Sequence, residues 1–277
     1  MNDSGSSSSL TPLPAVDREA LLHEATCAFQ PIVDVNEKSI FGYEALVRGR
    51  NNESAAEILG AVSESERSEF DGRCITKAIA NAAQLSLSTV LSMNLPATAE
   101  AVELVQLAQR AGAAKGIPPE RLMLEICAGH RQADLARMRQ VFEACRHAGA
   151  AVAFDRFGND DAGLDLLAEF RPDAIKLSME LVRDSHLFPV RRAVVTGIAQ
   201  VCREFGILVV AVGVETAEEC RALRDSGLYL FQGHCFARPR FEGLPPVPST
   251  VWARIDRRTR QDRRAQGSSR TDRRRSS

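Results

Sequence analysis

The 277-residue sequence lacks the features by which secreted, membrane and disulfide-rich proteins are recognised. Its first residues contain neither the basic segment nor the apolar core of a signal peptide. The longest apolar run, ILVVAVGV at 207–214, is far shorter than the ~20 residues that a transmembrane helix needs. Seven cysteines occur, an odd number, and no two have the CxxC spacing of a zinc site. These absences predict a cytoplasmic protein with reduced thiols and no membrane partner.

The chain also lacks the phosphate-binding signatures GxGxxG and GxxxxGK[ST]. A formal net charge of −1 argues against general electrostatic binding of nucleic acid by the whole protein. The charge is uneven, however, because residues 251–277 contain ten Arg and three Asp. We predict that this Arg-rich tail is disordered. It either keeps the protein soluble or binds an acidic partner such as RNA or an anionic lipid surface.

Between a Ser/Gly/Pro-rich start at 1–15, predicted to be disordered, and that tail, residues 16–250 alternate strand-like and helix-like segments. Apolar and β-branched runs indicate strands at 25–35, 40–47, 89–94, 122–126, 151–155, 173–177, 207–212 and 228–232. Helical periodicity occurs at 68–85, 101–112, 133–149 and 189–206. Only NEKS separates the first two strands, which predicts a hairpin, and the following βα alternation predicts a parallel sheet. The fold class expected is an α/β TIM-like (β/α)8 barrel, with a doubly wound open sheet as the alternative.

Polar side chains lie at or near the C-terminal ends of six predicted strands. They are Glu44, Asn94, Glu125, Asp155, Lys176 and Gln232. In a TIM-like barrel these ends converge on one face, where active sites lie. Three carboxylates and an amide suit a hard cation such as Mg²⁺ or Mn²⁺. Because neighbouring carboxylates raise one another's pKa, such a cluster predicts a cation at the barrel mouth.

The order of these motifs resembles the EAL family of cyclic-di-GMP phosphodiesterases. The stretch QPIVDV…FGYEALVRG resembles the start of the family domain, with Glu44-Ala45-Leu46 as its signature. Successive family motifs resemble SMNLP, LMLEI, FDRFGND, IKLS, AVGVET and FQGHCFARP, so the match extends over residues 25 to 240. The resemblance implies an EAL-type barrel with one antiparallel strand. It also implies a two-metal centre whose water cleaves cyclic di-GMP to linear pGpG.

The resemblance assigns roles by position. The metal ligands would be Glu44, Asn94, Glu125 and Asp155, and Lys176 would lie near the attacking water as the catalytic lysine. The ligand-binding positions would be Gln30, Arg48, Arg156, Glu215 and Gln232, with Arg48 contacting phosphate. Family members commonly dimerise, so a homodimer is expected here as well.

The sequence departs from the family pattern where the second metal should bind. Arg156 replaces the second Asp of an Asp-Asp pair, and Val212 replaces a Glu that is a metal ligand or general base. The other departures are Cys127 and Ala128 for Thr-Glu, Asn159 and Asp160 for Thr-Gly, and Ser178 for the Asp of Lys-Ile-Asp. Two unit charges 4 Å apart interact by roughly 4 kcal/mol at an effective dielectric constant of ~20. Exchanging a carboxylate for a guanidinium is therefore expected to leave at most one Mg²⁺ or Mn²⁺ ion, or none, and to impair hydrolysis.

Two locations are open for the Arg156 side chain. Its guanidinium either takes the place of the second metal among Glu125 and Asp155, or it extends into solvent. Three functions are compatible with the sequence. The first two are a receptor that binds cyclic di-GMP without cleaving it and a module that binds a protein regulator. The third is a weakly active phosphodiesterase, and the non-catalytic interpretations are preferred.

Overall fold

The computed structural model describes residues 18–51, 53–96, 100–127, 135–158 and 164–257. The predicted disordered segment at 1–15 and most of the Arg-rich tail lie outside the described residues, as do Ala128, Asn159 and Asp160.

All eight predicted strands and all four predicted helices are present, together with shorter elements that the periodicity did not reveal. The strands are β1 Thr26–Asp34, β2 Ser39–Arg48, β3 Val90–Leu95, β4 Leu122–Cys127, β5 Ala151–Phe157, β6 Ala174–Leu177, β7 Leu208–Ala211, β8 Leu230–Gln232 and β9 Arg240–Phe241. The helices are α1 Arg18–His23, α2 Ala55–Ala61, α3 Arg67–Gln84, α4 Ala101–Ala114, α5 Leu135–Ala148, α6 Leu164–Phe170, α7 Met179–Val182, α8 Pro189–Phe205, α9 Ala217–Asp225 and α10 Ser249–Asp256.

The strands close into an eight-stranded mixed barrel, which confirms the TIM-like fold and excludes the open sheet. Strands β2 to β8 are parallel to their neighbours in chain order. Strand β1 pairs antiparallel with both β2 and β8 and so closes the barrel as its one reversed strand, while the short β9 adds to β1. The predicted hairpin joins β1 and β2. Its turn is fixed by the Asp34 carboxylate, which accepts hydrogen bonds from the backbone N–H groups of Asn36 and Glu37.

An apolar layer fills the lower half of the barrel interior. Its buried members are Ile32, Met123, Ala153, Ala174, Val210 and Leu230. Successive side chains of a strand point to opposite faces, so the residue two positions further along also points inward, one layer closer to the mouth. That residue is Glu125 after Met123, Asp155 after Ala153 and Lys176 after Ala174. The alternation of the strands thus stacks the polar side chains directly above an apolar floor.

The outer faces of the strands pack against the surrounding helices in a second, larger core. Phe142 of α5, Phe154 of β5 and Phe170 of α6 form one aromatic cluster in this layer, with ring centroids 5.0–6.3 Å apart. Such ring contacts contribute beyond the area they bury, and they fix α5 and α6 against the strand that carries Asp155.

The folded part of the chain continues past residue 250, where the sequence placed the start of the tail. Helix α10 buries Val251 and Ile255 against the outer core, and Arg221 donates a hydrogen bond to the carbonyl of Arg254. The first residues assigned to a disordered tail are therefore helical, because their apolar spacing of four matches a helix face. None of the helices in the described part of the chain is long and apolar enough to cross a bilayer.

Candidate ligand and metal site at the barrel mouth

A buried ammonium group lies at the centre of the mouth. The Nζ atom of Lys176 is 2.8 Å from Oε2 of Glu44, and 2.8 and 2.7 Å from the two carboxylate oxygens of Glu125. All three residues are buried, with exposed fractions of 2% for Lys176, 6% for Glu44 and 1% for Glu125. Two carboxylates that strand order brings together are thus neutralised in part by a side chain of the protein itself.

Neutral donors complete the hydrogen bonding of these two carboxylates. Gln232 Nε2 donates to Glu44 Oε2 at 2.6 Å, and Asn94 Nδ2 donates to Glu44 Oε1 at 3.3 Å. The hydroxyl of Ser92, which is fully buried, donates to Glu125 Oε1. Every carboxylate oxygen of Glu44 and Glu125 therefore accepts at least one hydrogen bond, as buried charged groups require.

The pKa values of the two carboxyl groups are shifted in opposite directions. Burial alone would raise the pKa of Glu44, but the charge of Lys176 and hydrogen bonds from Lys176, Gln232 and Asn94 hold it below its ordinary value. Burial and the nearby charge of Glu44 outweigh Lys176 at Glu125 and raise its pKa to about 7. The pKa of Lys176 is raised, because Glu125, Glu44 and Asp155 together outweigh its burial. The mouth thus pairs a permanently charged lysine with one acid that titrates near neutrality.

Arg156 does not lie among the acids, so the interpretation in which it replaces the second metal is not what the structure shows. Its Nε atom is 3.9 Å from Oδ2 of Asp155, and its side chain is 69% exposed. Both oxygens of Glu125 are already occupied by Lys176, and Ser92 adds a further donor. The cation held between the carboxylates is Lys176, and Arg156 lies on the rim of the mouth.

Oxygen donors of the kind that bind a hard cation lie at the mouth. Glu44, Asn94, Glu125 and Asp155 offer the carboxylate and amide oxygens that Mg²⁺ or Mn²⁺ prefers, and the ammonium of Lys176 lies between two of these acids. The residue after Asp155 is Arg156, which brings a guanidinium rather than a further carboxylate. In the described part of the chain, a single trio of His, Cys, Asp or Glu residues has ligand atoms within 4.8 Å of one another. It is Asp184, His186 and Glu219, none of which was a predicted ligand.

Two cavities open at the mouth and share Glu44, Asp155 and Arg156 in their walls. The first has a volume of about 380 Å³ and is also lined by Asn94 and Glu125. The second has a volume of about 540 Å³ and is also lined by Gln30, Lys176, Glu215, Gln232 and Arg183. Volumes of this size are typical of small-molecule sites.

Nine of the ten predicted site residues therefore line the mouth, and Arg48 is the exception. Arg48 lines neither cavity, and its Nη1 atom donates to the carbonyl oxygen of Val47 at 2.7 Å. Glu215 lines the second cavity, where its carboxylate is ion-paired with Arg183 at 2.7 Å. Val212 lines the same cavity and presents an apolar surface where the family pattern has an acid.

Sequence reasoning missed two residues of the site. Ser92 had a recognisable signal, because it is a polar residue two positions before Asn94 in an apolar strand and so shares its inward face. Arg183 had none, because it reaches the mouth only through the short helix α7 that follows β6.

The family model described as EAL domain matches residues 17–239. The chain belongs to the EAL domain family. Over 224 residues it is 30% identical to the blue light- and temperature-regulated antirepressor BluF of Escherichia coli K12. The aligned region covers 79% of this chain and 55% of BluF. The chain thus spans about half the length of this curated relative.

Solved EAL structures share the fold closely. A standalone versatile EAL protein from Vibrio cholerae O395 in its c-di-GMP-bound form superposes with a TM-score of 0.77 at 38% identity, covering 82% of this chain and 97% of that one. The manganese/cyclic-diGMP complex of Klebsiella pneumoniae BlrP1 gives a TM-score of 0.77 at 33% identity, and the match covers 86% of this chain and 59% of that one. A further BlrP1 structure, with FMN and cyclic diGMP and no metal ions, gives a TM-score of 0.70 at 32% identity. The match covers 81% of this chain and 55% of that one. EAL homologues thus bind the cyclic dinucleotide with and without a divalent cation.

Proposed function

We propose that this EAL domain binds cyclic di-GMP at the barrel mouth and acts as a cytoplasmic regulator with impaired hydrolytic activity. The observation that carries the proposal is the position of Lys176, whose ammonium supplies the cation between Glu44 and Glu125. A mouth that is already partly neutralised does not need a metal ion to stay folded and receive an anionic ligand. The metal-free BlrP1 complex with cyclic diGMP supports the same idea.

Impaired hydrolysis follows from two side chains at the mouth. A divalent ion held by Glu44, Asn94, Glu125 and Asp155 would polarise a phosphate oxygen and lower the pKa of a bound water. Arg156 supplies no carboxylate for a second ion at the adjoining position, and the side chain of Val212 cannot accept a proton from the water. The chain's own residues thus bind and orient a phosphodiester without supplying the second half of a two-metal clamp.

A weakly active phosphodiesterase is the second candidate, and the oxygen donors at the mouth favour it. Glu44, Asn94, Glu125 and Asp155 are of the kind that hold a hard cation, and one Mg²⁺ or Mn²⁺ ion there would support slow formation of pGpG.

A protein partner is the third candidate, supported by the name of the relative BluF, an antirepressor. The exposed apolar residues of α8 offer a contact surface, with Val190 77%, Val194 46% and Phe205 51% exposed.

The same surface suits a second copy of this chain. In an antiparallel α8 pair, Glu204 at the end of one helix would approach Arg191 at the start of the other. Because this arrangement is self-complementary, we propose that the surface forms a homodimer. Sedimentation of Val190→Glu, expected to be monomeric, tests it against the wild type, and an unchanged oligomeric state would contradict it.

The deciding experiment is calorimetric titration with cyclic di-GMP, once in EDTA and once with Mn²⁺, followed by product analysis. We expect binding in EDTA and little or no pGpG. Brisk pGpG formation with Mn²⁺ would contradict impaired hydrolysis, and no binding under either condition would favour a protein-binding module. Arg156→Asp is the matched variant, because it restores the missing acid. We expect its bound Mn²⁺, measured by atomic absorption, to rise from at most one ion per chain towards two.

A further inference from the structure

A bound dinucleotide brings two negative phosphates to the mouth. Arg48, the residue expected to meet them, donates to the carbonyl of the residue before it and lines neither cavity. The cations in the wall of the 540 Å³ cavity are Lys176, Arg156 and Arg183. Lys176 is fully engaged by Glu44 and Glu125, with only 3% of its side chain exposed. Arg156 and Arg183 are therefore the two cations able to receive an anion there.

Arg183 is the better placed of the two, because its backbone is fixed while its guanidinium stays accessible. Its N–H donates to the carbonyl of Met179 at 2.7 Å, and its own carbonyl accepts a hydrogen bond from Arg191. Its side chain is 42% exposed and is ion-paired with Glu215 at 2.7 Å. A guanidinium has five N–H donors in a rigid fork, so it can hold Glu215 and a phosphate at once.

The surroundings of Arg183 in this cavity suit an anion. Ser178, at the end of β6, is 2% exposed, and its hydroxyl has no hydrogen-bond partner among the residues the structure describes. Ser178 stands where the family pattern has an Asp, whose charge would repel a phosphate. Met179 and Val212 add apolar side chains to the wall of the same cavity.

We infer that Arg183, oriented by Glu215, binds a phosphate of the ligand in this cavity in place of Arg48, and that Ser178 offers a second donor to it. The inference rests on the proposed function, since it names a residue that the same site uses. Arg183 is thereby a specificity residue for anionic ligands and takes no part in bond cleavage.

The test is calorimetric titration of cyclic di-GMP in EDTA with four single variants. Hydrogen bonds to charged groups contribute about 1.5–3 kcal/mol, so we expect Arg183→Ala to weaken binding about 10- to 100-fold. Arg183→Lys keeps the charge but not the planar guanidinium, so its affinity should lie between those of the wild type and Arg183→Ala. Arg48→Ala and Arg110→Ala, the latter an exposed control on α4, should change the affinity less than about threefold.

Two further measurements separate an effect on binding from an effect on folding. The unfolding temperature of Arg183→Ala should match that of the wild type. The salt dependence of its affinity should be weaker than in the wild type, because one phosphate contact is lost. No binding by the wild type would overturn the proposed function itself. Binding by the wild type with an unchanged Arg183→Ala, or with the large loss at Arg48→Ala, would overturn this inference alone.

Discussion

Two neighbouring layers of side chains inside the barrel have opposite characters. They are two residues apart along each strand. The lower layer, represented by Met123 and Ala174, is apolar and close-packed. The mouth layer, represented by Glu125 and Lys176, is buried to the same degree but held by charge and hydrogen bonds. Because both layers lie on the same strands, the backbone that stabilises one positions the other. The comparison shows that burial alone does not distinguish a structural layer from a functional one, whereas the response to pH and to cations does.

Strand β7 breaks the pattern and sharpens the comparison. Val210 belongs to the apolar layer, and Val212, two residues later, keeps the apolar character into the mouth. The other site strands turn polar at this level, whereas β7 stays apolar and the barrel still closes. A strand can thus carry an apolar side chain at the mouth while the floor beneath it remains packed.

The largest effect should come from removing the cation of the mouth layer with Lys176→Met. Glu44 and Glu125 would then be buried with neutral donors but no counter-ion, which should lower the free energy of unfolding at pH 8 by about 3–5 kcal/mol. Urea denaturation measures this, with the exposed Lys77→Met as the matched control. Mn²⁺ should stabilise the Lys176→Met variant more than the wild type, because the space between the carboxylates is then free. A loss below about 1 kcal/mol without metal would mean that water solvates these carboxylates.

The matching change in the apolar layer is Met123→Ala. Deleting a buried Met side chain should lower the free energy of unfolding by about 2–4 kcal/mol, and the loss should be the same from pH 5 to pH 8. Urea denaturation at the two pH values checks this. If the loss grew markedly with pH, the two layers would be coupled and the division between floor and mouth would fail.

The sequence predicted the barrel and most of the site because both depend on one local rule. Apolar strands of period two ending in polar residues fix which side chains point inward, and they placed Glu44, Asp155 and Gln232 correctly. Side-chain direction has no such rule where a strand is irregular, as β5 is between Phe154 and Phe157. Arg156 follows its strand's last inward residue with a left-handed backbone, φ +55°, which turns its side chain to the rim.

Long-range pairing was also beyond the sequence. That Lys176 would lie between Glu44 and Glu125 depends on the barrel's closure, which joins residues more than 50 positions apart. The family pattern placed Lys176 near a water and both glutamates on metal ions. It gave no indication that the lysine itself bridges them. The position of Arg183 likewise depends on how α7 packs against α8 rather than on any motif.

A third effect, within the range expected for Met123→Ala, should appear in the pH dependence of the wild type. The folded-state pKa of Glu125, about 7, lies above its ordinary value of about 4.3. Its contribution to stability is therefore complete below pH ~4.3 and is lost as the pH rises through 7, by on the order of 3 kcal/mol. Glu125→Gln, which cannot ionise, should remove this fall. Urea denaturation of both proteins between pH 5 and pH 8 measures the difference, and parallel curves would show that Glu125 is ionised throughout.

The smallest effect concerns the rim, outside both layers. Arg156 has a φ of +55°, which costs a non-glycine residue about 1 kcal/mol, and its ion pair with Asp155 is long and exposed. Arg156→Gly should therefore raise the free energy of unfolding by up to ~1 kcal/mol, since glycine adopts this backbone freely. Arg156→Ala keeps the backbone cost and loses only the side chain, so it should match the wild type within ~0.5 kcal/mol. If Arg156→Ala instead lost several kcal/mol, the guanidinium would be neutralising the buried acids as Lys176 does. Arg156 would then belong to the mouth layer.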